Sequence, residues 1–329
     1  MANLYTEVKI PKSQTVINYN SNLMFVGSCF ADNIGEMFAN AKFRCLANPL
    51  GTLYNPLSIN ILFQILTSDR TITADVFFKN GNLYSSYLMH GDFSNSDLTC
   101  AVSNANNSIN SARSFLKNAD IVFVTLGTAW VYFLNENNSP VANCHKQNPK
   151  LFTRRMLSVE QSSEALQNIC RIITEANPKT RIVLTVSPIR HIADGATDNT
   201  LSKSTLLLSV ADTVKKIENA EYFPSFEIMI DELRDYRFYE SNLTHPSATA
   251  REIIFERLID TYCTKETINQ ISNVANFMKS VNHKIISPDS PETIAFAKKQ
   301  LQKAMQLEAQ NRGLDLCKEI QYFNDIINR

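Results

Sequence analysis

Residues 119–127 (ADIVFVTLG) and 180–188 (TRIVLTVSP) are continuous apolar, β-branched runs of strand length. A strand that is hydrophobic on both faces needs cover on both, which is the situation of a parallel sheet between layers of helix. The stretch 23–38 (LMFVGSCFADNIGEMF) adds another strand: Leu23 to Val26 are apolar, Gly27 ends the run, and Phe30, Ile34, Met37 and Phe38 recur at helical spacing. Residues 226–231 (FEIMID) read as a fourth strand. Helical patterns fall between and after these runs, at 158–176, 199–218 and 247–263, the first opening with a capping box of Ser158 and Gln161. Alternating strands and helices imply right-handed crossovers and a doubly wound α/β fold, with its active site at the carboxyl ends of the strands. The strands ending at Gly27, Gly127 and Pro188 are therefore expected side by side, with those ends on one edge.

Two regions break the rhythm. Residues 75–91 (DVFFKNGNLYSSYLMHG) read as a hairpin turning at Asn80-Gly81, followed by an Asn/Ser-rich loop, the whole an insertion near the mouth of the site. After Cys263 the strand signal stops, and residues 290–310 read as a helix with Ser290 as N-cap and Pro291 in the first turn, with Gly313 interrupting a second helical stretch. The division is an α/β domain over 1–264 and a helical appendage over 265–329, which packs on the core or on a second subunit to form a homo-oligomer.

Thirty-two acidic and 32 basic residues balance to zero net charge, so no general attraction to nucleic acid or to an anionic membrane surface is expected. The N-terminal MANLYTEVKIPK has no apolar core and no stretch approaches a membrane span, which reads as a soluble cytoplasmic protein. Seven cysteines without regular spacing do not form a secreted disulfide framework.

Of only eight glycines, Gly27, Gly51 and Gly127 stand where strands or loops meet the expected site. Ser28 and Cys29 occupy the turn after the first strand, where unpaired N–H groups and the helix dipole favour an anion. His245, just before Pro246 and a late helix, has the pKa range of a general base. Arg190 and His191 directly follow a strand and suit an anionic or carbonyl oxygen. Cys144-His145 lacks the three or four ligands that a metal site needs.

The order of the motifs GSCFA (27–31), LGTAWVY, NCHKQ, TVSPIRHIADG and HPS resembles the GSCFA-domain family of bacterial proteins over roughly residues 5–260. That family in turn resembles the SGNH (GDSL-type) hydrolases. The resemblance implies a flavodoxin-like three-layer α/β/α fold and hydrolysis of an acyl ester, from a small-molecule or glycan substrate, without metal or organic cofactor. An ungapped match of the first block places Cys29 at the nucleophile position, and a gapped one places Ser28 there. The match also puts Gly51 at an oxyanion-donor position and Gly127 at the glycine of the third block. Ala129 replaces that block's oxyanion Asn, which leaves the Thr128 hydroxyl as a substitute.

In the last block Asn242 replaces the carboxylate that orients His245. An amide serves a serine nucleophile badly, whereas a thiolate–imidazolium pair needs only orientation, as in Cys-His-Asn sites. The substitution therefore favours Cys29, whose thiol is expected to have a lowered pKa at a helix N-terminus beside His245. The losses at 129 and 242 equally suit a catalytically degenerate protein that binds an acylated or glycan ligand. A third reading is an oligomerisation scaffold built on the amphipathic tail.

Overall fold

A computed structural model describes residues 6–285, 287 and 290–328. Its central sheet has five strands, β1 (Asn22–Gly27), β2 (Arg44–Ala47), β3 (Ile121–Leu126), β4 (Arg181–Val186) and β5 (Ala220–Tyr222). They lie in the order β2-β1-β3-β4-β5, the flavodoxin-like doubly wound arrangement. The pairs β1/β3, β3/β4 and β4/β5 are parallel, with Val26 beside Val124 and Val124 beside Leu184. The three strands expected as neighbours are neighbours, and their carboxyl ends share one edge.

Both faces of the sheet are covered. Met24, Val26, Val122, Val124, Ile182 and Leu184 share a core with Ile59 and Phe63 of α2 (Pro56–Thr67), Leu166 and Ile169 of α4 (Val159–Ala176), and Leu206 of α5 (Ala196–Lys216). On the other face Phe25 and Phe123 stack with centroids 4.8 Å apart. There α1 (Cys29–Asn40) comes so close that a Cβ on Gly35 would lie 3.3 Å from the Phe25 ring. Each such side chain, fully buried, contributes about 1.5–3 kcal/mol. At the end of β1 only glycine fits: Gly27 has φ +135, and a Cβ there would sit 2.0 Å from Thr125 O.

The capping box holds, with Ser158 and Gln161 bonding reciprocally at the start of α4. The hairpin also forms, Phe78–Asn80 against Leu83–Ser85. Two expectations are corrected. Residues 226–231 are not a strand, because Ala220–Tyr222 takes the place beside β4. The chain then turns at Pro224 into a helical turn, Ser225–Glu227, and a wide turn, Ile228–Glu232, that buries Ile228 and Met229. The Asn/Ser-rich stretch is not a loop but α3 (Leu98–Leu116), capped by Asp97, with Ala101, Ala105, Ile109, Ala112 and Leu116 buried. After β3 the chain forms a small antiparallel sheet of Trp130–Leu134, Pro140–Val141 and Phe152–Met156. Its strand alternation places Val131 and Phe133 in an apolar cluster with Leu157 and leaves Trp130 and Tyr132 on the opposite face.

Apart from α1 beyond Gly35 and β2 before Leu46, these elements belong to one compact unit, Asn22–Gly35 and Leu46–Phe255 with the segment ending at Ile10. The second unit joins Pro11–Ser21 and Glu36–Cys45 to Glu256–Arg329. Within it are the end of α6 (Ala248–Tyr262), α7 (Lys265–Val281), α8 (Pro291–Gln310) and α9 (Cys317–Ile327). Ser290 caps α8 as expected, accepting from Thr293 N at 3.2 Å. Phe323 of α9 packs on Phe277 and Phe296, and Glu319 is paired with Lys42 at 2.6 Å. Glu308, Asp315 and Cys317 bring potential ligand atoms together, but Glu308 accepts from Leu316 N and Asp315 from Cys317 N, so the group serves to cap a turn. Among the described residues no helix is long and apolar enough to cross a membrane.

Candidate active site

At the carboxyl ends of β1, β3 and β4 lies a cavity of about 730 Å³ lined by Cys29, Thr128, Arg190, His191 and His245. Four separate segments deliver these residues: the first turn of α1, the segments after β3 and β4, and the loop before α6. Ser28 does not join them. It is 1 % exposed, and its Oγ accepts from Phe30 N at 3.3 Å, the bond of an N-cap. Cys29, the first residue of α1, is the one that faces the cavity.

The thiol is not activated in the way the helix N-terminus suggests. Burial raises the Cys29 pKa, and the nearby Asp32 carboxylate raises it further. The N–H groups of Cys29 and Phe30 and the charge of Lys203 pull it down without prevailing. Asp32 is itself half-buried and accepts from Asn48 Nδ2 at 2.7 Å, while Asn48 Oδ1 accepts from Gly27 N at 2.8 Å.

The surroundings of His245 are fixed by an Asx turn. Asn242 Oδ1 accepts from Thr244 N at 2.9 Å, His245 N at 3.0 Å and Thr244 Oγ1 at 3.0 Å. Exchanging the two ends of the amide would point its NH₂ at two backbone N–H groups, so the orientation is set. Asn242 Nδ2 then faces His245 Nδ1 at 3.0 Å. A Cys-His-Asn site of the expected kind would present the amide oxygen to the ring, and here it presents a donor, because the oxygen is spent on the turn. Thr244 Oγ1, 3.1 Å from Nδ1, can accept from it, since its own hydrogen goes to Asn242. The geometry thus accommodates either tautomer, with Nδ1 accepting from Asn242 or Nδ1–H donating to Thr244. The loop is tied to the segment after β4 by Arg190 N donating to Thr244 O at 3.1 Å.

The backbone donors assigned from the resemblance are already engaged. Gly51 N donates to Asn48 O at 2.8 Å, and Gly51 does not line the cavity. Its φ of +77 and a Cβ position 2.2 Å from His90 Cβ explain the glycine as a close approach of loops. Gly127 N and Thr128 N both donate to Tyr54 O, at 2.8 and 3.0 Å. The Thr128 hydroxyl lines the cavity but lies 3.0 Å from Ser202 Oγ and accepts from Trp130 N at 3.1 Å.

His191 packs edge-on to Tyr54, and burial, reinforced by Lys203, pushes its pKa down to about 4, so it is neutral near pH 7. Arg190 has no carboxylate partner among the described residues, and its Nε is buried and unpaired. A hydrogen bond to the Tyr239 hydroxyl is its side-chain tie.

A model of the GSCFA family matches residues 22–258. The chain belongs to the GSCFA family. A second model, the C-terminal domain of GSCFA domain proteins, matches residues 274–329. No curated protein matches. Among solved structures, this GSCFA protein is similar to a putative platelet activating factor from Streptococcus pneumonia, with 13% identity, 75% of this chain and 85% of that one covered, and a TM-score of 0.37. It is also similar to the acetyl xylan esterase Est2A of the rumen bacterium Butyrivibrio proteoclasticus (13%, 75% and 64%, TM-score 0.38). A third is the periplasmic domain of a lipopolysaccharide acetyltransferase from Salmonella ser. Paratyphi A (12%, 74% and 84%, TM-score 0.36). Similarity at this level carries no information on chemistry.

Several residues of the GSCFA site escape a reading of the sequence. Asn55 caps α2 by accepting from Ser58 N at 2.9 Å, which leaves its Nδ2 as the free end beside the cavity. Its signal, Asn before Pro56 at a helix start, reads as a cap and nothing more. Lys203, 2 % exposed, ties two strand ends by donating to Gly127 O at 2.6 Å and Ser187 O at 2.8 Å. Burial, with Arg190 adding to it, pushes its pKa down to about 7. Tyr132, Phe152 and Arg154 form a wall with Trp130, the Arg154 guanidinium lying 4.4 Å from the Trp130 ring centroid. Cys144 also lines the cavity, its thiol raised to about 11 by burial.

Proposed function

We propose that this protein hydrolyses acyl esters of small molecules or glycans, with Cys29 as nucleophile and His245 as proton carrier. The observation that supports it is that both line one cavity although they come from opposite ends of the α/β unit, while Ser28 is sealed into a cap. In the productive tautomer, His245 Nδ1–H donates to Thr244 Oγ1 and Nε2 takes the Cys29 proton. Sulfur attacks the acyl carbon, and the oxyanion is received by Cys29 N–H and Asn55 Nδ2. The C–O bond breaks as the imidazolium returns the proton to the leaving alcohol. Water then repeats the sequence on the thioester and releases the acid. A panel of acetyl and short-chain p-nitrophenyl esters tests this: turnover should vanish in Cys29→Ala and His245→Ala and survive in Ser28→Ala. Undiminished turnover in Cys29→Ala would remove the proposal.

A second reading, a non-catalytic binder of an acylated or glycan ligand, is favoured by the Asn242 donor facing Nδ1 and by the raised thiol pKa. It predicts saturable ligand binding with no turnover in any variant.

A further inference from the structure

The cavity wall holds polar atoms that the protein leaves without partners. Nε of Arg154, Nε of Arg190, Nε1 of Trp130 and Nε2 of His191 are buried and unpartnered. Asp194 is the one carboxylate of the lining, and Arg154 holds it in an ion pair. Arg190 has no such partner among the described residues. Behind the strand ends Lys203 adds a second cation whose hydrogen-bond partners are neutral carbonyls. Arg190 is half-buried with its Nε sealed from solvent, and a guanidinium held there without a counter-charge is matched by an anionic ligand. Burial is the main cause of the depressed pKa values of His191 and Lys203, and the positive charges of Lys203 and Arg190 respectively add to it. The aromatic wall does not offer Trp130 as an open stacking platform, since Arg154 covers its ring.

We infer that the substrate carries, besides its ester, a negatively charged oxyanion group, a carboxylate or a phosphate, seated against Arg190. The guanidinium suits either group. That this anion belongs to a substrate rests on the hydrolase reading; that it binds does not.

Trp130 is the only tryptophan of the chain and lines the cavity, so its fluorescence reports occupancy without any reaction. Succinate, inorganic phosphate and neutral succinamide are titrated into the full-length protein. A saturable change with an anion, roughly tenfold or more tighter than with succinamide, is expected, and Arg190→Gln should weaken it by a similar factor while circular dichroism shows an unchanged fold. Saturation by succinate alone assigns a carboxylate, and saturation by phosphate alone assigns a phosphate. No preference for either anion over succinamide, or equal anion binding by a folded Arg190→Gln, overturns the inference. Comparing p-nitrophenyl hemisuccinate with p-nitrophenyl butyrate separates the two claims. Anion binding without turnover of either ester removes the hydrolase and keeps the anion site; turnover with no preference for the charged ester, in a protein that binds no anion, does the reverse.

Discussion

Asn242 carries the strongest prediction at the scale of single residues. Replacing it with Asp leaves one oxygen for the Asx turn and turns the other toward Nδ1, where it accepts a hydrogen instead of donating one. Asn242→Asp should therefore raise kcat by at least about tenfold, since the opposite exchange in a Ser-His-Asp triad changes kcat by about 10⁴. A fall in kcat, measured with the ester panel, would mean that the Thr244 tautomer is not the working one. Asn55→Ser separates cap from catalysis: serine still caps α2, so melting should be nearly unchanged, but the lost amide donor should lower kcat by about 10²–10³-fold. That Cys29, Arg190, His191 and His245 would line one cavity was legible in the sequence because each sits beside a strand end or a helix start, whereas Thr128 came only from the family resemblance. The orientation of Asn242 was not, because it depends on which end of an amide the backbone claims.

At the scale of elements, what could be read was what the sheet needs on both faces. β1, β3 and β4 announce themselves as unbroken apolar runs; β5 has only three residues, and its role was given to the longer run 226–231. The helix α3 hid behind eight Asn and Ser side chains between 103 and 114, its buried face made largely of alanine, which carries little hydrophobic signal. The helix can be tested by substitutions of opposite sign. Ile109→Ala should cost about 2–5 kcal/mol in urea unfolding, whereas the exposed Asn104→Ala should stabilise by about 0.5 kcal/mol through helix propensity. Two neutral results would be the behaviour of a loop. The antiparallel wall escaped the sequence reading because Trp130, Tyr132, Phe152 and Arg154 become neighbours only after the strand pairing of Tyr132 with Arg154 is made.

For the molecule as a whole, Lys203 links the site to folding stability. Its pKa, pushed down to about 7, compares with an ordinary lysine value of about 10.4. Below the lower value folded and unfolded chains both hold the proton, and this group contributes no slope with pH. Between the two values only the unfolded chain holds it, so stability should rise with pH, by up to about 1.4 kcal/mol per unit. Urea unfolding at pH 7 to 9.5 should show this rise relative to Lys203→Met; parallel curves would refute it. The bond from Arg190 N to Thr244 O has a different bearing. It joins the segment that would choose the ligand to the loop that would move the proton, and it does so through main chain alone. Inheritance can therefore rewrite the side chain at 190, and with it the diet of the protein, while the histidine keeps its station.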